Sequence, residues 1–156
     1  MLARMAKIPP LDEREELFWR SLMRVTVSLP RSLDVDLIRA TGLTANEYIT
    51  LMTLSEAPNR QLRMAELASA TALSASRMTR LVDDLQARGF AIKRPSLDDG
   101  RGNVAALTSE GQAKLESAYP HHLASVRRRV LDHIDATSLE GAARALDAVA
   151  ITLEGK

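Results

Sequence analysis

The fold is decided between residues 72 and 107, which read ALSASRMTRLVDDLQARGFAIKRPSLDDGRGNVAAL. Ser74 is a good N-cap for a helix over residues 75–88, and Gly89 stands where a left-handed helix C-cap is favoured. The apolar residues of this segment recur at i, i+3, i+4 and i+7 and predict the buried face of the helix: Met78, Leu81, Val82 and Leu85.

A β-hairpin is predicted immediately after this helix. Residues 90–94 alternate in polarity, residues 98–102 (DDGRG) form a turn, and residues 104–107 return as the antiparallel partner. Before the helix, residues 64–71 carry apolar side chains at helical spacing, and a short turn at residues 72–74 separates the two helices. Helix, tight turn, helix and hairpin is the order of a winged helix-turn-helix, whose second helix enters the DNA major groove.

The face of the 75–88 helix opposite its apolar stripe predicts a contact with DNA. Small side chains at the start of the helix permit close approach to base edges, arginine binds guanine O6 and N7, and serine or threonine holds phosphate. The candidate DNA-binding residues on this helix and on the strand after it are Ser74, Ala75, Ser76, Arg77, Thr79, Arg80, Lys93 and Arg94. A merely solvated amphipathic face is the alternative explanation of the same pattern.

Long helices are predicted on both sides of this module. Residues 12–38 form the first, and Pro30 should kink it or divide it into two helices. A helix from Thr108 to about residue 134, bent at Pro120, follows the hairpin, and Ser138 caps a last helix that ends near residue 153.

The segment between the first helix and the helix-turn-helix carries shorter elements. Gly42 ends the first helix, and Thr44 with Glu47 forms a capping box for a second helix that ends near Ala57. Residues 61–63 are long enough only for a three-residue strand. The residues of the second helix expected to face inward are Ile49, Met52 and Leu54.

The composition is that of an ordinary globular domain. Of 156 residues, 46% are hydrophobic and 26% are charged, and the absence of cysteine excludes disulfides, cysteine zinc sites and thiol chemistry. The net charge is only +1, but residues 58–108 hold 8 basic and 5 acidic side chains, whereas each flank has a net charge of −1. A basic middle segment is consistent with a polyanionic partner.

The sequence predicts a cytoplasmic protein without a membrane partner. It contains no run of 18 uncharged apolar residues, and its first residues lack the apolar core of a signal peptide. It also contains no glycine-rich phosphate loop, nucleophile elbow or zinc-protease helix, so neither an enzyme nor a cofactor is expected.

Histidines and clustered arginines do not predict a further site. His121 and His122 are adjacent and point to different faces of a helix, and His133 lies apart, so no metal site is expected. Residues 127–129 are three successive arginines, which spread around a helix rather than form one nucleic-acid face. We interpret them as surface and salt-bridge residues.

Four segments in order resemble the signatures of the MarR family of bacterial transcriptional regulators: Met64–Ala68, Leu73–Gly89, Asp99–Arg101 and Leu107–Gly111. The resemblance extends from about residue 12 to residue 154. It implies a mainly α fold with a small β-hairpin wing, in which a winged helix-turn-helix lobe occupies residues 44–108. N- and C-terminal dimerisation helices would occupy residues 12–43 and 109–156, after a tail over residues 1–11.

The same resemblance implies a homodimer whose two lobes straddle a palindromic operator. In the wing, Asp99 and Arg101 would pair or stack so that Arg101 reaches the minor groove. Because two acids stand beside a single arginine at the wing tip, we expect a weaker minor-groove contact than in relatives with a longer basic wing.

Members of this family commonly bind small aromatic or phenolic anions between the helical layer and the winged-helix lobe. Trp19 is the candidate to stack on such an effector, with Arg20 or Arg63 as the counter-charge. The alternative is that Trp19 packs in the dimer core beside Phe18.

The sequence therefore predicts a double-stranded DNA-binding transcriptional regulator, more often a repressor than an activator, released by a small ligand. The competing prediction is a winged helix that binds protein without specific DNA binding. Loss of basic residues from the recognition face would favour it, and here Arg77 and Arg80 are present.

Overall fold

The computed structural model describes residues 9–96 and 102–154, and these ranges hold helices together with one small antiparallel sheet. The elements in chain order are α1 (Glu13–Thr41), α2 (Ala45–Glu56), β1 (Gln61–Arg63), α3 (Met64–Ala70), α4 (Ala75–Ala87), β2 (Ala91–Pro95), β3 (Asn103–Leu107), α5 (Ser109–Arg129) and α6 (Ala136–Glu154). Short 3-10 turns lie at Pro58–Arg60 and Leu131–His133. The predicted mainly α fold with a hairpin is confirmed.

Helix α1 is one continuous helix of 29 residues, so Pro30 does not divide it into two helices, and the alternative, a kink at Pro30, stays a prediction. A proline removes one backbone hydrogen bond locally, and the turns on either side keep theirs. Asp12 caps the helix by accepting hydrogen bonds from the backbone N–H groups of Arg14 and Glu15 at 2.8 and 2.9 Å. At the other end, Gly42 adopts φ 71°, the left-handed conformation expected of it.

Helix α2 begins at the predicted capping box but buries a different face. Its side chains Tyr48, Leu51 and Leu54 are buried, whereas Ile49 is 38% exposed, so the prediction that Ile49 faces inward is wrong. Residues 48, 51 and 54 follow the helical repeat, and α2 packs them against α1, α5 and the sheet.

The C-terminal helices differ from prediction at their ends. Helix α5 continues through Pro120 and ends at Arg129, five residues before the predicted end. Asp135 rather than Ser138 caps α6, because its carboxylate accepts hydrogen bonds from the backbone N–H groups of Thr137 and Ser138 at 3.1 and 2.9 Å. Side-chain hydrogen bonds from Thr137 and Ser138 lower the pKa of Asp135 to about 2.

The sheet has the strand order β1-β3-β2. Strands β2 and β3 form the predicted hairpin, and the short strand β1 pairs with the other edge of β3. Leu62 of β1 pairs with Ala105 of β3, and Ala91 of β2 pairs with Leu107. Buried side chains from α2, α3, α4 and β3 form a core beneath it: Leu54, Leu67, Ala68, Met78, Val82 and Ala105. This core holds α4 with its polar face outward.

Candidate nucleic-acid interface

Helix α4 presents two distinct faces, as its sequence predicts. Met78, Val82 and Leu85 are completely buried, and Leu81 is half-buried against the neighbouring core. The predicted DNA-binding residues of this helix are all exposed: Ser74, Ala75, Ser76, Arg77, Thr79 and Arg80. Ser74 also caps the helix, since its hydroxyl accepts a hydrogen bond from the Arg77 backbone N–H at 3.4 Å.

The arginines of the α4 segment are held in two different ways. Within the described residues, the guanidinium groups of Arg77 and Arg80 form neither an ion pair nor a hydrogen bond. Arg88, at the end of the same helix, donates hydrogen bonds to a Glu47 carboxylate oxygen at 2.8 Å and to the Gly42 carbonyl at 2.9 Å. Arg77 and Arg80 are therefore available to an anionic partner, whereas Arg88 anchors the helix.

Arg88 is a residue that sequence reasoning missed. Its guanidinium also lies 5.0 Å from the centre of the Phe90 ring. The Arg88 guanidinium thus joins the end of α4 to Gly42, which ends α1, and to Glu47 of α2. No local pattern predicts this pairing, because Glu47 lies 41 residues earlier in the chain.

The two basic residues of strand β2 contact their own chain. The Lys93 ammonium pairs with the Asp83 carboxylate of α4, and the Lys93 backbone N–H donates to the Gln86 side chain at 2.6 Å. The Arg94 guanidinium donates to the Gln61 side chain at 2.6 Å. These contacts fix the wing strands against α4 and β1. The predicted wing-tip residues Asp99 and Arg101 lie outside the described residues.

A cavity of about 320 Å³ lies between the start of α3, the start of α4 and the base of the wing. Arg63, Thr79, Ser96 and Asn103 are among its lining residues. The Ser96 side chain is buried, and its hydroxyl finds no hydrogen-bond partner among the residues that the structure describes. Sequence reasoning missed Ser96 because nothing in its local pattern distinguishes it from a turn residue.

Of the three residues predicted for an effector pocket, Trp19 and Arg20 are neighbours on α1, whereas Arg63 lies on β1. Arg63 lines the cavity at the wing base, and that lining includes neither Trp19 nor Arg20. Trp19 lies on α1 and is 50% exposed. The Arg20 guanidinium pairs with Glu16 at 2.6 Å. Their role in ligand binding stays a prediction.

The histidines and the arginine triplet take structural positions. His122 stacks on Tyr48 with ring centres 4.5 Å apart, and burial lowers the pKa of His122. Arg128 and Arg129 pair with Asp36 at 2.8 and 3.0 Å, which confirms the salt-bridge interpretation for two of the three arginines. Among the described residues, no group of histidine and acidic side chains is arranged to hold a metal ion.

None of the helices within residues 9–96 and 102–154 is both long enough and apolar enough to cross a bilayer.

Known proteins resemble both the sequence and the fold. Residues 41–102 match the MarR family. The HTH-type transcriptional repressor YetL of Bacillus subtilis is 33% identical over 85 residues, which cover 54% of this chain and 51% of YetL. The transcriptional repressor MprA of Escherichia coli is 30% identical over 84 residues, covering 54% of this chain and 48% of MprA. The matched segment thus spans about half the length of these curated relatives.

Two solved structures from Streptomyces coelicolor match over nearly the whole chain. Sco3205 is a MarR family transcriptional regulator crystallised with DNA, and it is 32% identical to this chain with a TM-score of 0.86. The match covers 94% of this chain and 92% of the Sco3205 chain. AbsC, another MarR family transcriptional regulator, is also 32% identical with a TM-score of 0.86, and the match covers 96% of this chain and 100% of the AbsC chain. From its sequence and its winged helix-turn-helix fold, this chain belongs to the MarR family of transcriptional regulators.

Proposed function

We propose that the protein is a transcriptional repressor that binds double-stranded DNA in the cytoplasm, as a homodimer on a palindromic operator. The observation that carries this proposal is the pair of unpaired arginines, Arg77 and Arg80, on the exposed face of a helix whose other face is buried. Relatives named as repressors and the DNA complex of Sco3205 support it.

In this proposal, residues 44–108 form the DNA-binding lobe. The N-terminus of α4 contacts base edges through Arg77 and Arg80, and Ser74, Ser76 and Thr79 hold phosphate oxygens. The wing, including Arg101, contacts the neighbouring minor groove. Arg94 lies at the base of the wing, where its hydrogen bond to Gln61 leaves the guanidinium exposed to the backbone of the duplex.

The flanking segments, residues 12–43 and 109–156, form the dimer layer. Their helices α1 and α6 expose large apolar side chains, among them Phe18, Val25, Leu146 and Ile151. A groove of about 680 Å³ runs between α1, the end of α5 and α6, and apolar residues dominate its lining. A second copy of the chain would cover this surface, as exposed apolar patches of this kind require.

The test begins with the operator, because its sequence must be found first. Purified protein is used to select binding sites from a random duplex library, and affinity for the selected site is measured by fluorescence anisotropy. We expect an inverted repeat with half-sites about one helical turn apart. Arg80→Ala should weaken binding by about 1–3 kcal/mol and relax the preference at one base position.

Arg144→Ala is the matched control. Arg144 on α6 is also an exposed arginine, paired with Glu140 at 2.8 Å, so the variant loses the same charge away from α4. Its operator affinity should equal that of the unaltered protein. Selection that yields no preferred sequence, or an Arg80→Ala protein with full affinity, would contradict the proposal and favour a winged helix that binds protein.

A further inference from the structure

The C-terminal end of α4 lies where two buried clusters of the chain meet. Met78 and Val82 belong to the core beneath the sheet, together with side chains of α3 and β3. Leu85, three residues later, belongs to the other cluster, which contains Leu37 of α1 and Leu115 of α5. Helix α4 therefore extends from the DNA-binding lobe into contact with the helices of the proposed dimer layer.

Arg88 directly follows α4 and adds directional hydrogen bonds to this contact. Its guanidinium donates to the Glu47 carboxylate of α2 at 2.8 Å and to the carbonyl of Gly42, the residue that ends α1, at 2.9 Å. Apolar packing such as that of Leu85 has no preferred direction, whereas the planar guanidinium fixes the geometry of its partners. We call this link of Arg88 to Gly42 and Glu47 the Arg88 bridge.

The acceptors of the Arg88 bridge are themselves held in place. The second carboxylate oxygen of Glu47 accepts from the Thr44 backbone N–H at 2.7 Å, so the cap of α2 fixes this side chain. Glu47 is also only 8% exposed, so little water competes for its carboxylate. Lys114 of α5 donates to the Thr41 carbonyl. The last carbonyl groups of α1 thus receive one cation from α5 and one from the end of α4.

The Arg88 bridge holds the end of α4 that is farthest from the proposed DNA contacts. Arg77 and Arg80 lie in the first half of the helix, whereas Arg88 follows its last residue. The helix has 13 residues and is about 20 Å long, so a tilt of about 10° at Arg88 moves its N-terminus by about 3.5 Å. That displacement is close to the rise of one base pair, about 3.4 Å. A small change of angle at Arg88 therefore becomes one base pair at the DNA.

We propose that Arg88 is a positioning residue, which sets the angle of α4 against the dimer layer and thereby selects the spacing between the two operator half-sites. This rests on the proposed function, because spacing has a meaning only for two lobes on one duplex. In a two-fold dimer both recognition helices move together when this angle changes. Half-sites one base pair farther apart are also rotated by about 35° around the duplex, so a fixed pair of helices rejects them.

The experiment measures the preference for spacing. The selected operator is rebuilt with its half-sites one or two base pairs closer together or farther apart, and affinity for each duplex is measured by fluorescence anisotropy. The unaltered protein should bind the altered spacings at least about tenfold more weakly. Arg88→Gln should reduce that loss to about threefold or less and should keep the base preference within each half-site. Arg88→Lys retains the charge without the planar donor group and should lie between the two.

Arg39→Gln is the matched control. Arg39 is an exposed arginine in the last turn of α1, and within residues 9–96 and 102–154 it forms neither an ion pair nor a hydrogen bond. The variant therefore loses the same charge near the same junction and should keep the spacing preference of the unaltered protein. If Arg88→Gln weakened binding to every spacing by one common factor, Arg88 would be an ordinary phosphate contact and the proposal would be overturned. Full spacing preference in both Arg88 variants would overturn it as well.

A measurement without DNA separates this proposal from the proposed function. The chain contains no cysteine, so Ser76→Cys on α4 and Ser117→Cys on α5, both at exposed positions, introduce one pair of spin labels. Doubly labelled chains are diluted with unlabelled chains, and the distance distribution within a chain is measured by pulsed electron paramagnetic resonance. Arg88→Gln should broaden or shift this distribution, and Arg88→Lys provides the comparison if Arg88→Gln does not fold.

The outcomes of this measurement differ for the two proposals. An unchanged distance distribution in the folded Arg88 variants would overturn the positioning role. If the unaltered protein binds no DNA but the distribution broadens in the variants, the proposed function fails, while Arg88 remains the residue that positions α4.

Discussion

Gly111 is the residue whose neighbours leave no room for a side chain. A Cβ at this position would overlap the Phe90 carbonyl oxygen and would approach the Leu107 side chain to 2.8 Å. The first turn of α5 therefore lies directly on the base of the wing. A backbone oxygen cannot move aside as a flexible side chain does, so the position requires glycine.

Gly111→Ala should destabilise the fold by about 1–3 kcal/mol, because overpacking exceeds the gain in helix propensity. The free energy of unfolding, measured by urea denaturation, checks this. Gly141→Ala is the control, since nothing lies within 4 Å of a Cβ at that helical position. It should be neutral or raise stability by up to about 1 kcal/mol. Equal stability of the two variants would contradict the packing argument.

Asp36 is the acceptor of a charged cluster between α1 and α5. Arg129 donates to both of its oxygens at 3.0 Å, Arg128 donates at 2.8 Å, and Ser125 adds a short hydrogen bond. The Arg129 hydrogen bonds, followed by the one from Ser125, hold the pKa of Asp36 well below its usual range. The cluster therefore ties the two helices together in a manner that depends on pH.

The direction of this dependence follows from the lowered pKa. Asp36 contributes its full stabilisation above its unfolded pKa of about 3.9, and the contribution is lost as pH falls towards the folded pKa. Asp36→Asn should lower stability at pH 7, and its urea midpoint should fall less between pH 5 and pH 2.5 than that of the unaltered protein. Asp132→Asn, which removes an exposed carboxylate nearby, should retain the full fall. Identical acid profiles for Asp36→Asn and the unaltered protein would be inconsistent with this role.

Thr108 joins three elements at the point where the wing returns to the helical layer. Its hydroxyl accepts from the Gly111 backbone N–H at 2.9 Å and thereby caps α5. The same hydroxyl donates to the Gly89 carbonyl at 2.7 Å, just after α4. The Thr108 backbone N–H donates to the Phe90 carbonyl at 3.2 Å. One residue thus sets the position of α4 and the wing relative to α5.

Thr108→Val should cost about 1–2 kcal/mol, because it preserves the shape of the side chain and removes both hydroxyl hydrogen bonds. Thr108→Ser retains the hydroxyl and should stay close to the unaltered protein. Thermal denaturation of the two variants distinguishes them. If both variants melted at the same temperature, the hydroxyl would not be the group that holds this junction.

The chain as a whole leaves apolar side chains exposed that packing among its own helices does not cover. Helix α6 makes only sparse contacts with the rest of the described chain. Its apolar side chains Leu146 and Val149 are therefore left about half exposed. Leu146 also lines the groove against α1 and the end of α5. This arrangement favours a dimer in which a second copy fills the groove.

Leu146→Glu should convert that dimer to folded monomers, because an unpaired carboxylate is costly to bury at an interface. Light scattering after size-exclusion chromatography should give twice the chain mass for the unaltered protein and one chain mass for the variant. Ser117→Glu adds the same charge on an exposed position of α5 outside the groove and should stay dimeric. A monomeric unaltered protein would contradict the proposed dimer.

The local elements of this protein were determined by the sequence itself. Ser74 and Gly89 delimit α4, and the spacing of its apolar residues predicts which face is buried. The exposed positions of Arg77 and Arg80 follow directly. Such signals need only hydrogen bonds and side chains a few residues apart, so the sequence displays them. The four ordered motifs also predicted the family, and membership confirms a transcriptional regulator rather than an enzyme.

Tertiary structure alone decided how these elements meet. It turned Tyr48 rather than Ile49 inward, because α2 packs against partners from distant parts of the chain. It paired Asp36 with Arg129, which lies 93 residues later, and directed Lys93 to Asp83 instead of to solvent. Contacts between residues far apart in the chain leave no periodic signal in the sequence, because they exist only when helices and strands pack together.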